Sequence, residues 1–244
     1  MEIEIIPVQK NYEVFLEKYP PVKASSVPPE WYRKMKRNSL YDSFASQFDP
    51  VNHDFINAKS CPAINDIINT GIVIPMWATT SVKTLRDVFS NDMVSQHWDT
   101  RARVASGETI DEHITQHTET QIEGMELNTT VSNTILKIKV PYKFIVPEGY
   151  NLLFIDPFYH FRQDIRCLPG LIESDKWGFV TLPFEILDDN VNIEAGTPLV
   201  QVVPIKRYED KLNLTVRNGT DKEYETVFKE FSLRDLDGKN YRNN

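Results

Sequence analysis

The sequence predicts a mainly β fold, a compact barrel-like unit with a few short helices in the segments around it. Two observations carry this. Fifteen prolines against nine glycines in 244 residues divide the chain into short segments, because proline is excluded from helix interiors and central strands. From Thr134 to Arg207, short runs of β-branched and aromatic residues alternate with Gly and Pro turns, the rhythm of a small all-β domain. Composition agrees: 41% hydrophobic and 25% charged residues are ordinary for a globular protein and too apolar for a disordered one. The length is enough to bury a sizeable core.

In chain order, Glu2 to Ile6 alternates as an edge strand does. Pro29 to Lys36 reads as a short helix with proline in its first turn, a basic face and Trp31 packed on the body. Pro62 to Ile68 has helical spacing, and Thr70-Gly71 ends it because glycine tolerates the left-handed conformation. Ile72 to Trp77 then reads as a buried strand with an edge or bulge at Pro75. Residues 83–131 are polar and read as an irregular insertion. Strands follow around Ile135 to Val140, Tyr142 to Val146 and Asn151 to Ile155, with a turn at Pro147-Glu148-Gly149. Ala195-Gly196 turns into a last strong strand, Leu199 to Ile205. Asn213 to Val216 resembles a strand entering a tight turn at Arg217-Asn218-Gly219. Glu223 to Phe231 could form a helix with Tyr224, Val227, Phe228 and Phe231 on one face. Long helices are not expected. The expected division is an extension over 1–60, a β domain over 61–207 with its polar insertion at 83–131, and a hairpin and helix tail over 208–244.

A net charge of −8 opposes general binding along a phosphate backbone. Cys61 and Cys167 lack CxxC spacing and are expected as reduced, buried thiols. The first residues, Met1 to Lys10, have no signal-peptide pattern, and no apolar run approaches the roughly 20 residues of a membrane span. The sequons at Asn128, Asn213 and Asn218 are therefore read as chance matches in a chain made inside the cell.

Few motifs carry chemistry. His113 and His117 are four apart and would share a helix face, as zinc ligands do, but Glu112 precedes the first histidine where the protease signature needs Glu after it. No third ligand stands out, so a polar surface is the simpler reading and no metal is expected. GxSxG, P-loop and GxGxxG patterns do not occur. Cys167 lies in an apolar strand context, that of a core thiol.

Two stretches are more specific. Gly170-Leu171-Ile172-Glu173-Ser174-Asp175-Lys176-Trp177-Gly178 and Ile193-Glu194-Ala195-Gly196-Thr197-Pro198-Leu199-Val200-Gln201 follow each other in order. Together they resemble the core motifs of dUTPases and dCTP deaminases, over about 65 residues from Lys143 to Arg207. The resemblance implies a β-clip barrel and, by analogy, a homotrimer. It places the catalytic carboxylate at Glu173 and the sugar-packing aromatic at Lys176. The phosphate-binding Arg-Ser-Ser run would follow Pro157, where Phe158-Tyr159-His160 stands. The Gly-rich closing arm is replaced by a charged tail. Glutamate's extra methylene moves the Glu173 carboxylate by more than an ångström, a displacement that costs roughly a hundredfold in rate. Leu168-Pro-Gly-Leu-Ile-Glu-Ser-Asp, Gly196 to Arg207 and Cys61 to Trp77 also resemble a protein family of large tailed phages, marine ones especially, which implies a viral origin and brings no activity with it.

The expectation is a non-enzymatic phage protein on a degenerate dUTPase-like scaffold, an oligomeric structural, assembly or host-interaction component. It would associate with itself and with virion or host proteins, in the cytoplasm of the infected cell or in the virion. It needs no cofactor and engages neither membrane nor nucleic acid in general. The alternative is a protein that binds or hydrolyses a nucleotide through Glu173, Asp175 and Lys176, with Mg. Glu173 and Asp175 also fit the plainer role of solvated residues capping a tight turn.

Overall fold

The computed structural model describes residues 1–35, 58–59, 61–86, 88–89, 93–101, 114–127, 135–208 and 212–237. The chain divides into two compact units, Met1–Pro28 with Asn69–Arg207, and Pro29–Ile68 with Tyr208–Asn244. Its elements run β1 (Glu4–Pro7), α1 (Glu13–Lys18), β2 (Val22–Lys23), α2 (Glu30–Lys34), α3 (Pro62–Asn69), β3 (Ile72–Pro75), β4 (Thr79–Arg86), β5 (Met93–Arg101) and β6 (Ile114–Gln116). Then follow α4 (Glu119–Ile122), β7 (Ile135–Lys139), β8 (Tyr142–Ile145), β9 (Tyr150–Ile155), β10 (Ile165–Cys167) and β11 (Gly170–Ile172). The last are β12 (Thr181–Ile186), β13 (Asn190–Ile193), β14 (Pro198–Lys206) and α5 (Asp221–Asp237).

The fold is mainly β, as the sequence predicts. In the first unit the strands form four sheets, ordered β1-β8, β10-β12-β7-β6, β11-β9-β14-β3-β2 and β13-β4-β5. Every pairing is antiparallel. Alternation along the strands sends one apolar set inward. Leu136 and Ile138 of β7, Leu182, Phe184 and Ile186 of β12, Leu152 and Phe154 of β9, and Val200 and Val202 of β14 all join one buried cluster. Each such side chain contributes about 1.5–3 kcal/mol by leaving water. Trp77 and Tyr142 lie at its centre, edge to face with centroids 6.5 Å apart. The Tyr142 hydroxyl donates to the Tyr19 carbonyl at 3.1 Å, which ties the end of α1 to the core.

The N-terminal alternation forms β1, paired with β8 from Glu4 opposite Ile145 to Pro7 opposite Tyr142. Pro75 stands where the register of β14 shifts between Pro198 and Val200, the bulge that proline in a strand predicts. The segment expected to be irregular, 83–131, is not: its described parts hold the second half of β4, all of β5 and β6, and α4. The reason is that β4 turns Thr80 and Thr84 inward beside Val82, so its buried face reads as polar. Val82 stands opposite Trp98 of β5, and Trp98 packs against the core cluster.

In the second unit, α2 begins after Pro29 and buries Tyr32, whereas Trp31 packs edge-on against the Tyr32 ring. The Tyr32 hydroxyl donates to Asn65 Oδ1 of α3 at 2.8 Å. The basic face of α2 includes Lys34, paired with Glu30 one turn back. The expectation of short helices fails at α5, which runs 17 residues. The last proline is Pro204, so nothing interrupts the tail. Thr220 caps α5: Glu223 returns a carboxylate to the Thr220 N–H at 2.7 Å, and the Glu223 N–H meets the Thr220 hydroxyl at 3.4 Å. Arg217 and Thr220 together hold Glu223 down at about 2. The hairpin expected after Asn213 does not form, and residues 212–220 belong to neither helix nor strand.

Gly71 joins α3 to β3 at φ +79°, and a Cβ there would come within 2.1 Å of the Val202 carbonyl oxygen. Gly124 has the same φ with nothing within 4 Å. Gly124→Ala is therefore expected to cost only the left-handed penalty of about 1–2 kcal/mol. Gly71→Ala adds a backbone clash and is expected to cost clearly more, read from urea unfolding of both variants.

Candidate functional site

The motif from Gly170 to Gly178 forms a tight turn after β11. The N–H groups of Lys176 and Trp177 both donate to the Glu173 carbonyl, at 3.0 and 2.9 Å, and the Ser174 hydroxyl donates to Ile172 O at 3.2 Å. Gly178 is required by close approach: a Cβ there would meet the Phe144 carbonyl and the Lys143 side chain at 2.9 Å. The turn is thereby pressed against β8, and the Phe144 N–H donates to Gly178 O at 3.2 Å.

The structure brings Glu173, Asp175 and Lys176 together, and adds a fourth residue. Arg207 follows β14 and clasps the turn. Its guanidinium pairs with both oxygens of Asp175, at 3.1 Å for the Nη1 contact, and Nη1 also reaches Asn151 Oδ1 at 3.2 Å. Asp175 further accepts the Gly149 N–H at 2.9 Å, while the Arg207 N–H returns to Gly149 O at 2.7 Å. Glu173 Oε2 is held by Lys176 Nζ at 2.6 Å and by Arg207 Nη1 at 3.2 Å. Three separate segments, the start of β9, the turn after β11 and the end of β14, meet on one guanidinium.

This geometry sets the electrostatics. The Lys176 ammonium, and after it Arg207, holds the Glu173 carboxyl below the usual carboxylate range. Arg207 and the Gly149 N–H hold Asp175 at about 2. A general base works best with a pKa near the operating pH, and both carboxylates are tuned away from it. The side chain of Asp175 is only 7% exposed, so it is enclosed rather than solvated. Glu173, half exposed, remains at the surface.

Beside the turn runs a cleft of about 480 Å³ lined by Lys143, Ile145, Trp177 and Phe179. Trp177 is 63% exposed and Phe179 53%, with Lys143 Nζ 5.7 Å from the centre of the Phe179 ring. Ile6 faces Lys143 across the β1–β8 ladder and extends the exposed apolar surface.

A second, larger cavity, about 640 Å³, lies under the loop after β9. Here Pro157, Phe158, Ile165 and Leu199 line the wall together with Asp156 and Arg166. Tyr159 and Phe161 both adopt left-handed backbone, at φ 62° and 52°, and their rings meet edge-on. The Phe158 N–H donates to Gln201 Oε1 at 2.9 Å, and Gln201 in turn donates to Thr70 O. Cys167 is buried, and burial pushes its thiol up to about 12, so it is no nucleophile.

His113 lies outside the described residues. His117 follows strand β6 rather than lying on a helix, so the shared helix face expected of the pair does not arise. Burial, and after it Lys137, lowers the His117 pKa. Among the described residues no group of three His, Cys, Asp or Glu is arranged to hold a metal ion, and no helix is long and apolar enough to cross a membrane.

Sequence reasoning missed Arg207, Asp156, Arg162 and Arg166. Arg207 lies 32 residues from Asp175, and no spacing rule connects them. The segment after Pro157 was read only for the Arg-Ser-Ser run it lacks.

Because the folded-state pKa of Asp175 lies below its unfolded value of roughly 3.9, its contribution to stability is present above that value and lost as pH falls through about 2. Asp175→Asn removes the ionisable member. The variant is expected to be less stable at neutral pH and to show a shallower loss of stability between pH 4 and 2, read from urea midpoints across that range.

No family model matches the chain, and no relative is found among curated proteins. Among solved structures, the chain is similar to the native EIAV dUTPase at 15% identity, covering 35% of this chain and 72% of that one with a TM-score of 0.29. It is also similar to a mutant dUTPase from phage phi11 of S. aureus at 9% identity, covering 89% and 98% with a TM-score of 0.36. Both superpositions are loose, and the functional reading rests on the residues themselves.

Proposed function

We propose that this chain is a non-catalytic, self-associating phage protein on a dUTPase-like scaffold, acting as a structural, assembly or host-interaction component. The observation that carries the reading is the clasp on Glu173. In the motif resemblance this is the carboxylate that would activate water, and here it is bound to Lys176 and Arg207. Both ion pairs fall on Oε2, and they lower the basicity of the carboxylate. Lys176, in the position of the sugar-packing aromatic, is one of those two partners.

Self-association is supported by apolar surface that a monomer leaves in water. Ile6, Ile145, Trp177 and Phe179 are 41–63% exposed. In the second unit, Leu212, Leu214 and Val216 are 79–90% exposed, and Tyr224 and Val227 of α5 are more than half exposed. Such clusters mark protein–protein contacts more often than scattered surface residues do.

Mass photometry of the purified full chain is expected to find a trimer, and a monomer at every concentration would contradict the reading. A thermal-shift series with deoxynucleoside triphosphates and magnesium is expected to show no stabilisation. A magnesium-dependent shift that Glu173→Ala abolishes would favour the nucleotide reading instead.

A further inference from the structure

We propose that the outer face of the β1–β8 ribbon is a two-fold docking surface for a second copy of this chain. Ile6 and Ile145 supply its apolar contact, and Glu4 against the partner's Lys143 sets its orientation. The proposal rests on the self-association read above and adds to it the surface and the symmetry.

Strand alternation gives the ribbon two distinct faces. Ile5, Tyr142 and Phe144 turn toward the core cluster. Exposed Glu4, Ile6 and Ile145, with half-buried Lys143, lie on the other side. Trp177 and Phe179 continue the exposed apolar surface beside β8. The register sets Glu4 opposite Ile145 and Ile6 opposite Lys143. The four outward side chains therefore form a quadrilateral, with the two charges on one diagonal and the two isoleucines on the other. Neither charge is matched within the copy. The Glu4 carboxylate makes no ion pair or hydrogen bond among the described residues. Lys143 holds its ammonium 5.7 Å from the centre of the Phe179 ring and has no carboxylate partner among them.

Charge then selects one way to pack two such faces. A contact between identical patches is related by a two-fold axis. An axis along the strands lays Glu4 on the partner's Ile145 and Ile6 on the partner's Lys143. An axis across the strands lays Glu4 on the partner's Ile6. Both desolvate charges against apolar side chains, which is costly. An axis along the charged diagonal sets like charges against each other. An axis along the isoleucine diagonal packs Ile6 on the partner's Ile6 and Ile145 on the partner's Ile145. It also places each Glu4 on the partner's Lys143, so the contact carries the same ion pair twice. A two-fold contact joins copies in pairs, whereas a trimer closes through heterologous surfaces. The ribbon therefore doubles whatever assembly the other surfaces form, a trimer into a hexamer.

The test is sedimentation velocity of the purified full chain over a concentration series. The wild-type mass is expected to double as concentration rises. Glu4→Lys and Lys143→Glu each turn both ion pairs into like-charge contacts, and each is expected to weaken the doubling about tenfold or more. An equimolar mixture of the two variants restores both attractions across the contact. It is expected to double as the wild type does, which no effect confined to one copy produces. The Lys143 stem packs beside Gly178. Should Lys143→Glu therefore fail to fold, Ile6→Asp, which sets a carboxylate against its own copy at the axis, is expected to abolish the doubling. Three results would overturn the proposal and leave the self-association reading standing: a trimer that never doubles, doubling unchanged in folded Glu4→Lys or Ile6→Asp, or a mixture that does not recover. A dimer in place of a hexamer would support this contact and contradict the trimer. A monomer at every concentration would overturn both.

Discussion

One guanidinium organises the part of this protein where chemistry was expected. Arg207 extends from the end of β14, the central strand of its five-stranded sheet. It holds Asp175 in the turn after β11, Asn151 at the start of β9 and Glu173 at the turn's rim. The partners are complementary in number as well as in sign. Arginine offers five donors in a fixed plane, and the segments it joins supply two carboxylates and an amide oxygen. The backbone repeats the connection through the paired bonds between Arg207 and Gly149 and between Gly149 and Asp175. A turn that could have presented a free carboxylate to a water molecule is instead part of the joint that closes the sheet.

Large apolar side chains nonetheless remain exposed: Trp177 and Phe179 beside the turn, Ile6 and Ile145 of β1 and β8, and in the second unit Leu212, Leu214 and Val216. The cavity after β9 is of another kind. It is lined by apolar side chains together with Asp156, Arg162 and Arg166. Arg162 pairs there with Asp164, and Arg166 with Glu185. The same economy, charge spent on holding the fold, runs through both places.

Much of the architecture was legible in the sequence, and the exceptions have physical causes. β1, α3 with Gly71, β3 and the strands from Ile135 onward were readable because apolar period and turn residues agree there. β4 and β5 were not, because Thr80 and Thr84 are buried and mask the inward face. Asn213 to Val216 has strand alternation but no strand: periodicity specifies a face to bury and says nothing of a partner to pair with. α5 was seen as a helix but too short, since its capping by Thr220 and Glu223 lies before the apolar residues that announced it. In the candidate site, the turn and its three charged residues were legible as a motif. Arg207 was not, because only the folded sheet brings it to Asp175. The cavity was hidden for a similar reason: Asp156, Arg162 and Arg166 look like ordinary strand and loop residues until Asp164 and Glu185 are placed beside them.

The proposed role of Glu173 is to hold the turn together rather than to activate water. Phosphorus NMR of dUTP incubated with the purified full chain and magnesium tests it directly. The expected spectrum follows the protein-free control, with no pyrophosphate formed. Pyrophosphate release that disappears in Glu173→Ala would contradict it.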